Sequence, residues 1–305
     1  MKIKHVIESQ QFTVPRIMQL FERADFMKRI IARGGTRDYD NKIMATLFYN
    51  PSTRTRFSFE AAMYRLGGKV LSTEQALQFS SEIPGEHLED TIKIISNFCD
   101  VIVLRHHEEG GAKRDAAVSS VPIINAGDGS GGQHPTQALL DLYTIYNESH
   151  TIDGLSVSFI GALDNGRTVR SLAYLLSKFD RIKLYFVAPK ELQIKKDILE
   201  HLEEKGVWYQ LLNSAEEIID KVDVVYQTRI DRERLKKKDM DLTKYNIDTN
   251  VLQRMKYNSI IMHPLPRSVE ISPAVDSDPR AAYFRQSENG LALRMALLSL
   301  IFENE

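Results

Sequence analysis

Several short runs in this chain are nearly all apolar: Val101-Ile102-Val103-Leu104, Val121-Pro122-Ile123-Ile124, Leu155 to Ile160, Val222 to Tyr226 and Ser259 to Met262. They are too short for buried helices and rich in β-branched residues. Such runs are what strands look like when both faces are covered, and a parallel sheet flanked by helices covers both. Segments at helical spacing lie between them. From Val14 to Ala32, Ile17, Leu20, Phe21, Ala24, Met27 and Ile31 share one face, and basic residues take the other. The alternation predicts an α/β chain of βαβ units.

The order of elements follows. A strand over Lys42 to Tyr49 meets the turn Asn50-Pro51-Ser52, a helix runs to Leu66, and Gly67-Gly68 ends it before a strand at Lys69 to Thr73. A helix covers Leu88 to Phe98, and another opens at Pro135 and runs past Tyr146. A second series adds helices at Thr168 to Phe179, Lys190 to Lys205 and Ala215 to Asp220, and strands at Lys183 to Val187 and Val207 to Leu211. A chain of 305 residues exceeds one compact domain, and Asp153-Gly154 marks a break. We expect two doubly wound parallel-sheet domains, 1–150 and 151–288, with an apolar helix at 289–305 packing back on the first. In open parallel sheets ligands sit outside the carboxyl ends of the strands. The site is therefore expected in the cleft between the domains.

Charge and cysteine content narrow the partners. A formal net charge of −1 leaves no global field to recruit nucleic acid or a membrane surface, so the partner is expected to be small. Cys99, the one cysteine, excludes an internal disulfide and multi-cysteine metal sites, and reads as a packed thiol. No apolar signal core follows Met1 and no apolar run is long enough to span a bilayer, so the expected location is cytoplasmic. The basic run Arg232 to Lys238 reads as a solvated loop.

Polar residues gather where the strands end. Ser52-Thr53-Arg54-Thr55-Arg56 lies at a helix start, where unpaired N–H groups and the helix dipole favour a phosphate. The hydroxyls and the Arg54 fork add donors matched to phosphate oxygens. Arg105, His134 with Gln137 three residues on, Arg167, Thr228-Arg229 and His263-Pro264-Leu265-Pro266-Arg267 end other strands or open the helices after them. The chain shows no nucleophile beside a base, no Walker lysine and no Gly-x-Gly-x-x-Gly after a strand. What remains is group transfer from a phosphorylated donor by positioning and electrostatics, with no metal or organic cofactor implied.

Ser52 to Glu60, His134-Pro135-Thr136-Gln137, Gly166-Arg167-Thr168-Val169, Thr228-Arg229 and His263 to Arg267 resemble the motifs of the aspartate carbamoyltransferase catalytic chain, nearly end to end. The resemblance implies that Ser52, Thr53, Arg54, Thr55 and Arg105 hold the phosphate of carbamoyl phosphate. Thr55, Arg105 and His134 would polarise its carbonyl, with Gln137 and the backbone carbonyl of Leu265, next to Pro266, addressing the amines. Arg167 and Arg229 would grip the carboxylates of aspartate, and the departing phosphate would take the proton. It further implies a homotrimer in which a neighbour's loop, here with Ser80 and Pro84, completes each site, and allows assembly with regulatory chains.

The sequence departs from the family on the acceptor side. Pro84 stands where a lysine is usual, Ala162 and Asp164 replace an acid and a lysine, and Asp231 replaces a glutamine. Losing an ammonium removes a charge-assisted contact worth ~1.5–3 kcal/mol. Three readings follow: a carbamoyltransferase acting on aspartate for pyrimidine synthesis, one acting on another amine, and a catalytically weak binding or assembly subunit.

Overall fold

The computed structural model describes residues 4–74, 88–230, 232–236 and 238–303. The chain divides into two units, Met1–Leu140 with Glu288–Glu305, and Asp141–Ser287.

The first unit is built on four parallel strands, β1 (Ile43–Phe48), β2 (Lys69–Glu74), β3 (Val101–Arg105) and β4 (Ile123–Asn125), in the order β2-β1-β3-β4. Its helices are α1 (Val14–Ala32), α2 (Thr53–Arg65), α3 (Leu88–Ile95) and α4 (Gly111–Val118), and α5 (Pro135–Ser149) begins in it. α1 buries Ile17, Leu20, Phe21, Ala24 and Met27, as its spacing predicts. Ala45, Leu47, Ile102, Leu104 and Ile123 from three neighbouring strands form one apolar cluster with Ile92 and Cys99. In that cluster burial pushes the Cys99 thiol pKa up to about 11, so it behaves as a small hydrophobe.

The second unit carries five parallel strands, β5 (Ser156–Ile160), β6 (Lys183–Val187), β7 (Trp208–Leu212), β8 (Val224–Gln227) and β9 (Ile260–Met262), in the order β7-β6-β5-β8-β9. The helices are α6 (Arg167–Leu176), α7 (Lys196–Glu204) and α8 (Thr249–Arg254), and α9 (Tyr283–Phe302) begins in this unit. Central strands β6, β5 and β8 are buried almost throughout, while edge strand β7 leaves Trp208 and Leu211 exposed. Sidedness thus follows sheet position, as a doubly wound fold requires.

Local chemistry explains where elements differ from expectation. The helix expected over Lys190 to Lys205 is a 3₁₀ turn (Lys190–Leu192) followed by α7. Gln193 breaks it, donating from Nε2 to the Phe186 carbonyl at 3.1 Å and accepting from the Ile194 N–H at 2.9 Å. The helix expected at 215–220 shortens to the 3₁₀ turn Ala215–Glu217, closed by a capping box between Ser214 and Glu217. The expected loop at 232–238 contains the 3₁₀ turn Arg232–Arg234. α4 and α8 were not expected. α8 owes its start to Asp248, whose side chain accepts from the Asn250 and Val251 N–H groups, both at 2.9 Å.

Candidate active site

In each unit the strand order reverses once, and ligands favour that switch point because the loops leaving its two strands part in opposite directions. In the first unit it lies between β1 and β3, which are paired so that Phe48 stands opposite Arg105. The Tyr49 N–H continues the ladder, donating to the Arg105 carbonyl at 3.0 Å. The turn after β1 and the end of β3 therefore share one edge. Ser52 is the N-cap of α2, but its side chain makes no capping hydrogen bond. Thr55 is buried, Thr53 and Arg54 are exposed, and partial burial lowers the Arg54 pKa. Arg105 Nη1 donates to the Ala126 carbonyl at 3.2 Å, which ties that guanidinium to the end of β4.

The glycine-rich segment before His134 is tightly laced. Asp128 Oδ1 accepts from the Gln133 N–H at 2.7 Å and Oδ2 from the Gly110 N–H at 3.0 Å. The Gln133 side chain in turn accepts from the Ser9 N–H at 2.9 Å. Gly132 leaves room for this, since a Cβ there would stand 2.3 Å from Asp128 Oδ1. His134 is 5% exposed and its Nδ1 lies 3.3 Å from Thr136 Oγ1. Gln137 is half-buried on the first turn of α5. Ser52, Thr53, Arg54, Thr55, Arg105, His134 and Gln137 are thus all placed at the carboxyl edge of one sheet.

In the second unit the switch point lies between β5 and β8, which pair with Ile160 opposite Gln227. The Thr228 N–H donates to the Ile160 carbonyl at 2.7 Å, and the Ala162 N–H donates to the Arg229 carbonyl at 3.2 Å. These bonds hold the loop after β5, which ends at Arg167, against the segment carrying Arg229. Arg167 opens α6 behind the N-cap Gly166. The turn after β9 adds Leu265, at φ +53, and the exposed Pro266 through a cis Leu265-Pro266 bond. Asp164 turns to Arg234, 2.5 Å from its Nη2. Ser80, Pro84 and Asp231 lie outside the described residues.

Two acidic residues escaped the sequence reading. Glu74, at the end of β2, accepts from the Ser52 N–H at 3.1 Å and pairs with Arg56 Nη2 at 3.1 Å. Arg56 also donates to Ser72 Oγ at 3.2 Å, and Ser72 donates to Glu60 at 2.6 Å. Of the two arginines in the helix-start motif, Arg56 therefore serves the internal structure. The second is Glu270, whose Oε1 lies 2.9 Å from His263 Nε2 inside the turn after β9. Both pairings join residues at separations set by the fold, and no local spacing signals them.

Comparisons with known proteins agree with this geometry. Residues 4–147 match the model of the aspartate/ornithine carbamoyltransferase carbamoyl-P binding domain, and residues 153–301 match that of the Asp/Orn binding domain. The chain is 51% identical over 312 residues to a chloroplastic aspartate carbamoyltransferase of Oryza sativa, covering 99% of this chain and 85% of that protein. It superposes on the catalytic subunit of M. jannaschii aspartate transcarbamoylase with a TM-score of 0.91, 44% identity and 99% of each chain covered. Trypanosoma cruzi aspartate transcarbamoylase, solved with carbamoyl phosphate and aspartate, gives a TM-score of 0.92 at 40% identity, covering 97% of this chain and 95% of that one.

Proposed function

The chain belongs to the aspartate/ornithine carbamoyltransferase family, and from that membership we propose that it transfers the carbamoyl group of carbamoyl phosphate to the amine of L-aspartate, giving N-carbamoyl-L-aspartate and phosphate. The observation that carries this is the match of both family domains along the chain, with the motif residues of each standing at the switch point of its own sheet. The relatives reported above are aspartate carbamoyltransferases, which favours aspartate over another amine and over a subunit without turnover.

The roles follow from the donors at each edge. Ser52, Thr53, Arg54, Thr55 and Arg105 take the phosphate, because a helix start whose N-cap side chain makes no capping bond, set among hydroxyls and guanidinium forks, offers many donors. Thr55, Arg105 and His134 point their donors at the carbonyl oxygen, where negative charge grows as the amine attacks. One such donor is typically worth about 10²–10³ in kcat. Arg167 and Arg229 hold the two carboxylates of aspartate, while Gln137 and the Leu265 carbonyl orient the amines. As the new C–N bond forms, the bond from the carbamoyl carbon to the phosphate oxygen breaks. The amine proton leaves with the phosphate, so His134 acts as a hydrogen-bond donor and transfers no proton.

We also propose a cytoplasmic homotrimer whose neighbouring subunit supplies the 80–84 segment to each site. Light scattering should then give a mass three times that of the chain. The function is tested by supplying carbamoyl phosphate with L-aspartate, L-ornithine and diamino acids in parallel and following carbamoylated product by mass. Turnover of aspartate is the expected result; turnover of another amine alone refutes the aspartate reading.

A further inference from the structure

Behind the turn after β9 lies a buried chain of polar side chains to which neither set of substrate-binding residues belongs. His263 is 2% exposed and Glu270 5% exposed. His263 Nδ1 accepts from the Leu265 N–H at 2.8 Å, so that nitrogen carries no proton. Nε2 must then be the protonated one, and it donates to Glu270 Oε1 at 2.9 Å. Both Glu270 oxygens also accept from the Ser268 N–H at 3.1 Å. One carboxylate thus fixes the tautomer of His263 and clamps the far side of the same turn.

The other end of the turn is anchored as firmly. The His263 N–H donates to Gln286 Oε1 at 2.9 Å, and Gln286 Nε2 donates to Asp141 Oδ1 at 2.6 Å. Asp141 Oδ2 accepts from Tyr226 Oη at 2.7 Å. Gln286, Asp141 and Tyr226 are each at most 1% exposed. Between these anchors Leu265 holds φ +53, a conformation that a branched side chain rarely adopts unless its surroundings impose it.

We propose that Glu270 is a positioning residue: through the Nε2–H tautomer of His263 it holds Leu265 in its left-handed conformation and fixes the direction of the Leu265 carbonyl toward the acceptor amine. Gln286, tied to Asp141 and Tyr226, keeps His263 from following Leu265 if that conformation relaxes. The inference deepens the acceptor-site reading above and rests on it for its kinetic consequence.

The test compares Glu270→Ala and Glu270→Gln in the intact protein. Without the carboxylate, His263 loses the acceptor that selects its tautomer. Glu270→Ala should then raise KM for aspartate at least tenfold and lower kcat, while KM for carbamoyl phosphate stays within twofold. The amide oxygen of Glu270→Gln still accepts from Nε2–H, so this variant should recover most of the loss. Equal losses for both substrates, or no loss in Glu270→Ala, overturn the proposal. Should Glu270→Ala fail to fold, Glu270→Asp, one methylene shorter, replaces it with the same expected split. Crystal structures of the wild type and the variant read the positioning role without substrate, and a Leu265 that keeps its positive φ in the variant overturns it. A wild type that carbamoylates no aspartate refutes the functional reading instead, and a relaxed Leu265 in the variant then still upholds the positioning role.

Discussion

Gly161 closes β5 at the switch point of the second sheet, and replacing it by alanine tests whether that junction is as tight as its geometry implies. Its φ of +126 suits glycine, and an added Cβ would stand 2.4 Å from both the carbonyl oxygen and Oγ1 of Thr228. Ordinary contact begins near 3.4 Å, so the strand end after β8 must retreat by roughly 1 Å. Neither Thr228 atom can easily turn aside, since Oγ1 donates to the Ile160 carbonyl at 3.0 Å and the Thr228 N–H binds the same carbonyl. The strained backbone costs about 1–3 kcal/mol and the overpacking about 1–3 more, a total of ~2–6 kcal/mol. At ~2–4 °C per kcal/mol the thermal midpoint should fall by about 4–24 °C. Arg229 follows Thr228 directly and its carbonyl accepts from Ala162, so it moves with the strand end. A 1 Å misplacement of a positioning group typically costs about 10²-fold in kcat/KM. Gly154→Ala separates the two causes: φ is +79 there but nothing lies within 4 Å of the added Cβ. It should lose only the conformational share, ~1–2 kcal/mol, and leave kinetics untouched. If the two variants melt alike in scanning calorimetry, the close approach of Thr228 is not what Gly161 is there for.

Two further substitutions test charges. The Asp115 carboxyl, 1% exposed and 3.7 Å from His106 Nε2, has its pKa pushed up to about 6, chiefly by burial, with Glu89 and Glu108 adding and Arg114 opposing. A carboxyl whose folded pKa is raised holds its proton longer in the native state, so stability falls as pH rises from about 4 to about 6. Asp115→Asn should flatten that part of the profile in urea titrations, and an unchanged slope would mean the carboxyl ionises normally. Asp164 and Arg234 pair at 2.5 Å with side chains 17% and 35% exposed. Asp164→Ala should cost under ~1 kcal/mol of stability yet raise KM for aspartate about fivefold by loosening the loop that follows Arg229, with partial rescue in the charge swap Asp164→Arg with Arg234→Asp. Wild-type kinetics in Asp164→Ala would leave the pair a surface contact only.

The residues on view at each sheet edge were legible in the sequence for a geometric reason. Strands buried on both faces show as apolar runs, and in a parallel sheet whatever follows such a run must emerge at the carboxyl edge. Ser52, Arg105, Arg167, Arg229 and His263 could be placed by that rule alone. Glu74, Asp141, Gln286 and Glu270 could not, because their meaning lies in partners that only register supplies. Glu74 reaches Ser52 because β2 pairs with β1 so that Phe48 stands opposite Glu74. Asp141 reaches Tyr226 across 85 residues of chain. The same limit explains the segment before His134, where three glycines in six residues suggest freedom and one aspartate removes it.

Register also changes what the acceptor-side substitutions mean. Counted along the sequence, an acid at 164 in place of the usual lysine withdraws two units of positive charge from a pocket that must hold a dicarboxylate. In the folded chain Asp164 is matched to Arg234, and its Oδ2 also accepts from Asn165 at 3.0 Å, so the oxygen nearest Arg234 is already committed. A carboxylate engaged in this way competes little for the guanidinium groups of Arg167 and Arg229, because the attraction between unlike charges falls with distance and its nearest cation is close at hand. The acid therefore works inside the loop, joining the segment after β5 to the turn at Arg232–Arg234. Together with the bond between Ala162 and Arg229, it binds the two sides of the switch point in the unit that carries Arg167 and Arg229. At position 164 the acid that replaces the usual lysine is thus tied to Arg234 and Asn165 within its own segment of the fold.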